Sequence, residues 1–483
     1  MPYFIKFGRC KPYYMTKIKF GTDGWRAIIA DEFTVENVQR VAYATALWLK
    51  ENASSPSAVV GNDCRFAGKL FAETVARVFA NEGIKVYLAG NDFVSTPMVS
   101  LGTVSLKADI GVIITASHNP PSYNGFKIKA NYGGPATPAI IDAVESRIPE
   151  SVSLELRPIQ EYKEEGIVEE MDLETLYCEH VQKSFDLEAI RASGLELAYD
   201  AMYGAGQNVM RRLFPEITFL HAENNPGFDG QAPEPIHKNL SELSEMIRLS
   251  GNIDSALATD GDADRIGFYN GKGEFIDSHH IILLLIQYLH KYKGLNGEVV
   301  TTFSCTGKIE ALCSKYELPH TVTKIGFKYI CDLMVTSGKS YLVGGEESGG
   351  IAVAGYLPER DGIWIGLTLW EYMAKTGRSL DDLIAELYDI VGPFAVERYD
   401  LHVNEKLKQQ IIDNCKSGKY HSFGENKITR TEDMDGFKFH FEEGRWVMIR
   451  PSGTEPVLRV YAEAGSQEDA FSILDATKTA LLG

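Results

Sequence analysis

The run ADIGVIITASHNP, residues 108–120, decides how this chain is read. Its first eight residues, Ala108 to Thr115, are mostly apolar and rich in β-branched side chains, which suits a buried strand. The sequence then turns polar at once, and Asn119-Pro120 stiffens a turn. A buried strand that runs straight into a polar loop belongs to an α/β layer.

Working outward, the same layout recurs. Thr34 to Glu51 reads as a helix, with Thr34 as its cap and Val38, Val41, Ala42, Ala46 and Leu49 in one stripe. Ser57 to Gly61 and Lys85 to Leu88 read as strands, with a helix from Leu70 to Glu82 between them. Further on come strands at Leu195 to Tyr199 and Ala256 to Thr259, with a helix over Gly206 to Leu213. Strands at Val299 to Phe303 and Tyr341 to Gly344 flank a helix over Lys308 to Tyr316. The last stretch differs. Asp435 to Glu442, Trp446 to Arg450 and Leu458 to Glu463 alternate as short strands, and a helix over Ser466 to Leu482 ends the chain. The expectation is an α/β protein with three similar α/β domains and a smaller C-terminal α+β domain, divided as 1–165, 166–295, 296–395 and 396–483. The polar stretch 159–172 reads as the first connector.

The 483 residues are enough for several cores. Lys and Arg total 48 against 66 Asp and Glu, a net charge of −18. That balance argues against gripping nucleic acid or an anionic membrane surface, so any phosphate must be held by a few focused cations. The longest apolar run, Ile281 to Ile286, is far short of the ~18 residues of a membrane span. The first fourteen residues lack the pattern of a secretion signal, and Met15 opens a cleaner start. Seven scattered cysteines without a CxxC suggest reduced thiols and a cytoplasmic location.

Five loops carry polar groups that could do chemistry. Asp260-Gly-Asp262-Ala-Asp264-Arg265 follows a strand and can aim three hard oxygen ligands at one point, which suits Mg²⁺. A calcium loop would want Gly and Glu where Arg265 and Gly271 stand. The plainer alternative is a solvated acidic turn. Ser117 ends the Ala108–Thr115 strand and could be a nucleophile, or merely cap the next turn; the G-x-S-x-G elbow of acyl hydrolases is missing. Arg450-Pro-Ser452-Gly453-Thr454 lies between strands, where backbone N–H groups, two hydroxyls, Arg450 and Arg459 could close on an anion, or form an ordinary turn. Gly344-Gly-Glu346-Glu347-Ser348-Gly349-Gly350 offers acceptors and a donor for sugar hydroxyls. Gly21-Thr-Asp-Gly24-Trp25-Arg26 sets an arginine beside an aromatic ring.

Taken together and in this order, the loops resemble the α-D-phosphohexomutases, in their phosphoglucomutase/phosphomannomutase group, from about Ile18 to Ala464. The resemblance implies a site in the cleft where four domains meet. It implies that Ser117 is the phosphoserine and that Asp260, Asp262 and Asp264 hold Mg²⁺ together with a phosphoserine oxygen. Glu346 and Ser348 would hold sugar hydroxyls. Arg450, Ser452, Gly453 and Thr454 would grip the substrate phosphate. Arg26, Arg265 and Lys127 (in Tyr123-Asn-Gly-Phe-Lys127) would line the cleft, and Lys328 would sit in a loop that reads both ends of the substrate.

The activity so implied is interconversion of hexose 1-phosphate and hexose 6-phosphate through a hexose 1,6-bisphosphate, with glucose first and mannose second. Phosphoglucosamine mutase and phosphopentomutase are the alternatives within the class; a non-catalytic sugar-phosphate binder lies outside it. Small sugar phosphates are the expected partners, for a monomer or homodimer with no nucleic acid or membrane. The chain departs from some relatives at two points: Gly350 stands where a histidine can end the sugar loop, and Arg360-Asp361-Gly362 where others have Lys-Asp-Gly. The proton carrier is then Lys127 or His118, with Lys127 favoured.

Overall fold

The computed structural model describes residues 17–21, 23–451 and 457–483. They form three mixed sheets with flanking helices, followed by one five-stranded antiparallel sheet and a two-stranded hairpin of Ser422–Phe423 with Asn426–Lys427. The strands and helices expected above begin and end within two residues of their predicted limits.

One device repeats in the first three sheets. Ile110–Ile114 pairs parallel with Ser57–Asn62 and antiparallel with the returning strand Tyr123–Ala130. Ser255–Thr259 stands in the same way between Leu197–Asp200 and Ile266–Asn270. Tyr341–Gly345 stands between Glu298–Thr302 and Ile351–Val353. In the first two cases the outgoing strand is buried at every residue, as expected of a strand covered on both faces. Each reversal carries one of the polar loops: 115–122, 260–265 and 346–350.

The units interlock more than the expected boundaries suggest. The stretch 159–172, read as a connector, contains the helix Ile159–Glu164 and the strand Val168–Met171, which completes the edge of the first sheet past residue 165. Its exposed Glu169 and Glu170 hid it, because charges suit an edge strand. Helix Ser278–Gln287 lies against the third sheet, with Ile282 over Gly345, although it precedes residue 296. Helix Gly362–Thr376 lies on the second sheet, where Gly366 meets Leu257.

The final sheet runs in the order Ala395–His402, Val457–Ala464, Trp446–Pro451, Phe437–His440, Arg430–Glu432. Leu458, Val460 and Ala462 face one way, into a core with Ile411, Ile473 and Leu474. Trp446, Met448 and Tyr461 face the other way and pack on Phe303 of the third unit. Polar bonds fix that contact. Gly307 N–H donates to Glu463 (3.1 Å), Trp446 Nε1 donates to the same carboxylate (2.6 Å), and Lys438 Nζ donates to the Phe303 carbonyl (2.8 Å).

No helix among the described residues is long and apolar enough to cross a membrane. The six described cysteines, Cys64 to Cys415, are buried and free.

The first and third units share a fully buried ion pair. Lys129 Nζ lies 2.6 Å from Glu359, which also accepts from Ser100 Oγ at 2.8 Å. Removing one member of such a pair leaves a buried charge without its partner. Lys129→Ala is expected to cost about 3–5 kcal/mol of stability, read from urea unfolding.

Candidate active site

The loop 260–265 is built inward. Asp260 Oδ1 accepts from the N–H groups of Asp264 (2.9 Å) and Arg265 (3.0 Å), which closes the loop over its own first carboxylate. Ala263 takes a left-handed φ of 57° to allow this. At Gly261 a Cβ would stand 2.6 Å from the Ser117 carbonyl, so a side chain would push the two loops apart. The backbone contact brings the serine to the acids: Ser117 Oγ donates to Asp260 Oδ2 at 2.6 Å. Ser117 itself is buried and left-handed, with φ 52°. Its N–H donates to Thr115 Oγ1 (2.8 Å), and that hydroxyl donates to Asp63 (2.5 Å).

Asp260, Asp262 and Asp264 are all fully buried and can bring one carboxylate oxygen each within 4.8 Å of the others. Burial, and then Asp262 and Asp264, push the Asp260 carboxyl well above the usual carboxylate range. Asp262 goes the other way: burial would raise it, but Lys127, Thr96 and Arg360 outweigh that and hold it down. Thr96 Oγ1 bonds Asp262 at 2.5 Å. The Oδ1 atoms of Asp262 and Asp264 are buried without a hydrogen-bond partner. Hard anionic oxygens that close together, two of them unsatisfied, fit a Mg²⁺ ion.

Cations arrive from other units. Lys127 Nζ lies 2.9 Å from Asp23, 2.8 Å from Asp262 and 3.0 Å from Asp264. Burial would lower its pKa, but these three carboxylates prevail and keep it charged. Arg360 reaches Asp23 (2.5 Å) and Asp264 (2.8 Å). Its path depends on Gly350, where a Cβ would stand 2.5 Å from Arg360 Cδ. Arg360 therefore occupies the room that any side chain at position 350 would need.

The other expected residues are distributed around this centre. Arg26 NH1 donates to Asn119 Oδ1 on the serine loop at 2.6 Å. His118 is partly buried, with Nδ1 3.4 Å from Ser117 Oγ; burial, Arg265 and Arg26 lower its pKa and favour neutral imidazole. Arg265 has a buried Nε with no partner. The turn holding Glu346 and Ser348 is tied to the acidic loop, since Ile266 N–H donates to the Gly349 carbonyl at 3.2 Å. Burial raises the Glu346 carboxyl to about 7. Lys328 lies with its ammonium 5.3 Å from the Tyr329 ring.

Arg450 and Arg459 are direct cross-strand neighbours. Two like charges placed so repel each other unless an anion comes between them. Arg450 Nε is oriented by Asp435 (3.3 Å), which also accepts from Ile325 N–H of the third unit at 2.9 Å. The Tyr461 hydroxyl, buried and unpartnered, is pushed to about 12 by burial and by Glu347 of the sugar loop. Ser452, Gly453 and Thr454 lie outside the described residues.

Sequence reasoning missed Asp23, Thr96, Asp63 and Asp435. They speak through partners distant in the chain, so no local spacing marks them.

Comparison with known proteins agrees over most of the chain. Family models described as phosphoglucomutase/phosphomannomutase alpha/beta/alpha domains I, II and III match residues 17–154, 175–273 and 277–391, and the C-terminal domain of that family matches 401–479. A phosphoglucomutase/phosphomannomutase of Thermococcus kodakarensis is 29% identical over 463 residues, covering 94% of this chain and 96% of that protein. A phosphoglucosamine mutase of Carboxydothermus hydrogenoformans is 28% identical over 463 residues, covering 94% and 97%. A crystal structure from Thermus thermophilus, assigned as a phosphomannomutase, is 32% identical with a TM-score of 0.85, covering 97% of this chain and 100% of that one.

Ion binding at the three aspartates is testable without turnover. Saturating Mg²⁺, at about 100 times its Kd, is expected to stabilise the chain by roughly 2.7 kcal/mol, seen as a rise in Tm. Asp262→Asn should abolish most of that rise; an unchanged shift would place the ion elsewhere.

Proposed function

The chain belongs to the phosphoglucomutase/phosphomannomutase family of α-D-phosphohexomutases, and from that premise we propose that it interconverts glucose 1-phosphate and glucose 6-phosphate, with mannose phosphates as second substrates. The observation that carries the reading is the buried Ser117 hydroxyl bonded to Asp260 beside two further aspartates. A non-catalytic binder would have no use for a nucleophile in that position.

In this reading Ser117 carries a phosphoryl group at rest. The free hydroxyl of a bound hexose phosphate attacks it; the Ser117 Oγ–P bond breaks and a sugar O–P bond forms. The resulting hexose 1,6-bisphosphate turns in the cleft, and its other phosphate returns to Ser117. Catalysis of this kind rests on positioning and charge stabilisation. Asp260, Asp262 and Asp264 would hold Mg²⁺, which supplies charge neutralisation for the moving phosphoryl group. Lys127 and Arg360 add fixed positive charge at the same place. Arg450 and Arg459 would clasp the phosphate that does not react, whichever end of the sugar presents it.

The proton goes to a different residue from the one the sequence favoured. Lys127 points its ammonium at three carboxylates and has no free lone pair, so its role is electrostatic. His118 Nδ1, 3.4 Å from Ser117 Oγ, is the group we assign to the proton relay. The neutral imidazole takes the proton of the attacking sugar hydroxyl on one nitrogen and gives one to Ser117 Oγ from the other as the Oγ–P bond breaks, and the transfer reverses when the serine is phosphorylated again. Glucosamine phosphates are the second reading, because relatives of equal similarity carry the name phosphoglucosamine mutase.

Initial rates on the 1-phosphates of glucose, mannose, glucosamine and ribose, with the matching bisphosphate present, rank these readings. Glucose should be fastest; a tenfold lead for glucosamine would reverse the assignment. Ser117→Ala should eliminate turnover, and the mass of one phosphoryl group should vanish from the intact protein. Arg450→Ala should raise KM by roughly 10- to 150-fold, the ~1.5–3 kcal/mol of a charged hydrogen bond.

A further inference from the structure

Behind the serine loop lies a cation that touches none of the three metal-site acids. Arg65 follows the strand Ser57–Asn62 and is 3% exposed. One arm of its guanidinium, NH2, donates to the carbonyls of Ser117 (2.6 Å) and Asn119 (2.7 Å). The other, NH1, donates to the carbonyls of Pro120 (2.9 Å) and Tyr123 (3.0 Å). Four carbonyls of one loop thus converge on one planar group. Nε lies 3.4 Å from Asp63, the carboxylate that also holds Thr115 and through it the Ser117 N–H. The Phe228 ring of the second unit covers the guanidinium at 5.0 Å.

This arrangement solves a specific problem. Ser117 has a left-handed φ of 52°, unfavourable for a residue with a side chain. That conformation turns the Ser117 carbonyl back toward Arg65 while Oγ faces Asp260. Without donors behind it, the buried carbonyl would lose its partner and the turn would relax.

Resting on the mutase reading above, we propose that Arg65 is a positioning residue for phosphoryl transfer. It fixes the loop 117–123 through its backbone, so that Ser117 Oγ keeps one place through each cycle of phosphorylation. Charge alone cannot do this, because only a flat fork of donors meets four carbonyls at once. The role predicts a loss in the chemical step, with substrate affinity left intact, since Arg65 touches neither substrate nor the three aspartates.

The experiment compares Arg65→Lys with wild type in kcat, KM and Tm, and follows Ser117 phosphorylation by glucose 1,6-bisphosphate through intact mass. Lysine keeps the charge and loses the fork. We expect kcat to fall by about 100-fold, the scale of a small misplacement of a reacting atom, and KM to change less than about threefold. Transfer onto Ser117 should slow in step with kcat. A folded Arg65→Lys with wild-type kcat overturns the proposal, as does a loss carried by KM alone. Phe228→Leu gives an independent reading, since it loosens the guanidinium while sparing its hydrogen bonds: kcat should drop several-fold with KM unchanged, and an unaffected kcat counts against the role. Wild-type turnover of hexose phosphates is measured first. Its absence would remove the mutase reading, whereas the ratio of variant to wild type tests Arg65.

Discussion

Three carboxylates buried on a five-residue span form the constraint to which the rest of this protein answers. Alone, such a cluster would be strongly unfavourable in a low-dielectric interior. The chain neutralises it with groups from elsewhere: Lys127 from the first unit and Arg360 from the third. One oxygen of Asp23 then bridges those two cations and offsets their mutual repulsion. The charge network therefore joins three units, and the buried Lys129–Glu359 pair extends it along the same interface. What holds the domains together and what prepares the site for a divalent ion and a phosphoryl group are one set of contacts.

Much of this was legible in the sequence, and the reason is local. Ile110–Ile114 and Ala256–Ala258 are apolar throughout and lead into a polar break, so both the strand and its active loop announce themselves. The acidic cluster likewise lies within five residues. The strand Val168–Met171 stayed hidden because its charges face solvent at a sheet edge, where alternation is weak. Strand Ala395–His402 was also missed; it reads AVERYDLH, and only Leu401 along it is buried, so its alternation is faint.

The site shows the same division. Close spacing marked the three aspartates, whereas Ser117 was singled out as the nucleophile only by the resemblance of the loops taken together. Charge state did not follow from residue type: Lys127 seemed a usable base until the geometry tied it to Asp23, Asp262 and Asp264. Arg65 carries no signal in its own stretch of sequence, since its acceptors are backbone carbonyls more than fifty residues away. The absence of a side chain at Gly350 gained meaning only when Arg360 was seen to fill the space.

The thrice-repeated hairpin has a temporal consequence. Because each of the first three units donates one reversal to a shared centre, none of them alone possesses the whole apparatus. During synthesis the acidic loop emerges after Lys127 but well before Arg360. Until Arg360 is made, Asp264 lacks one of its two cationic partners, and the acidic loop cannot reach its finished charge balance. Assembly order and chemical competence are thereby coupled in a single polypeptide.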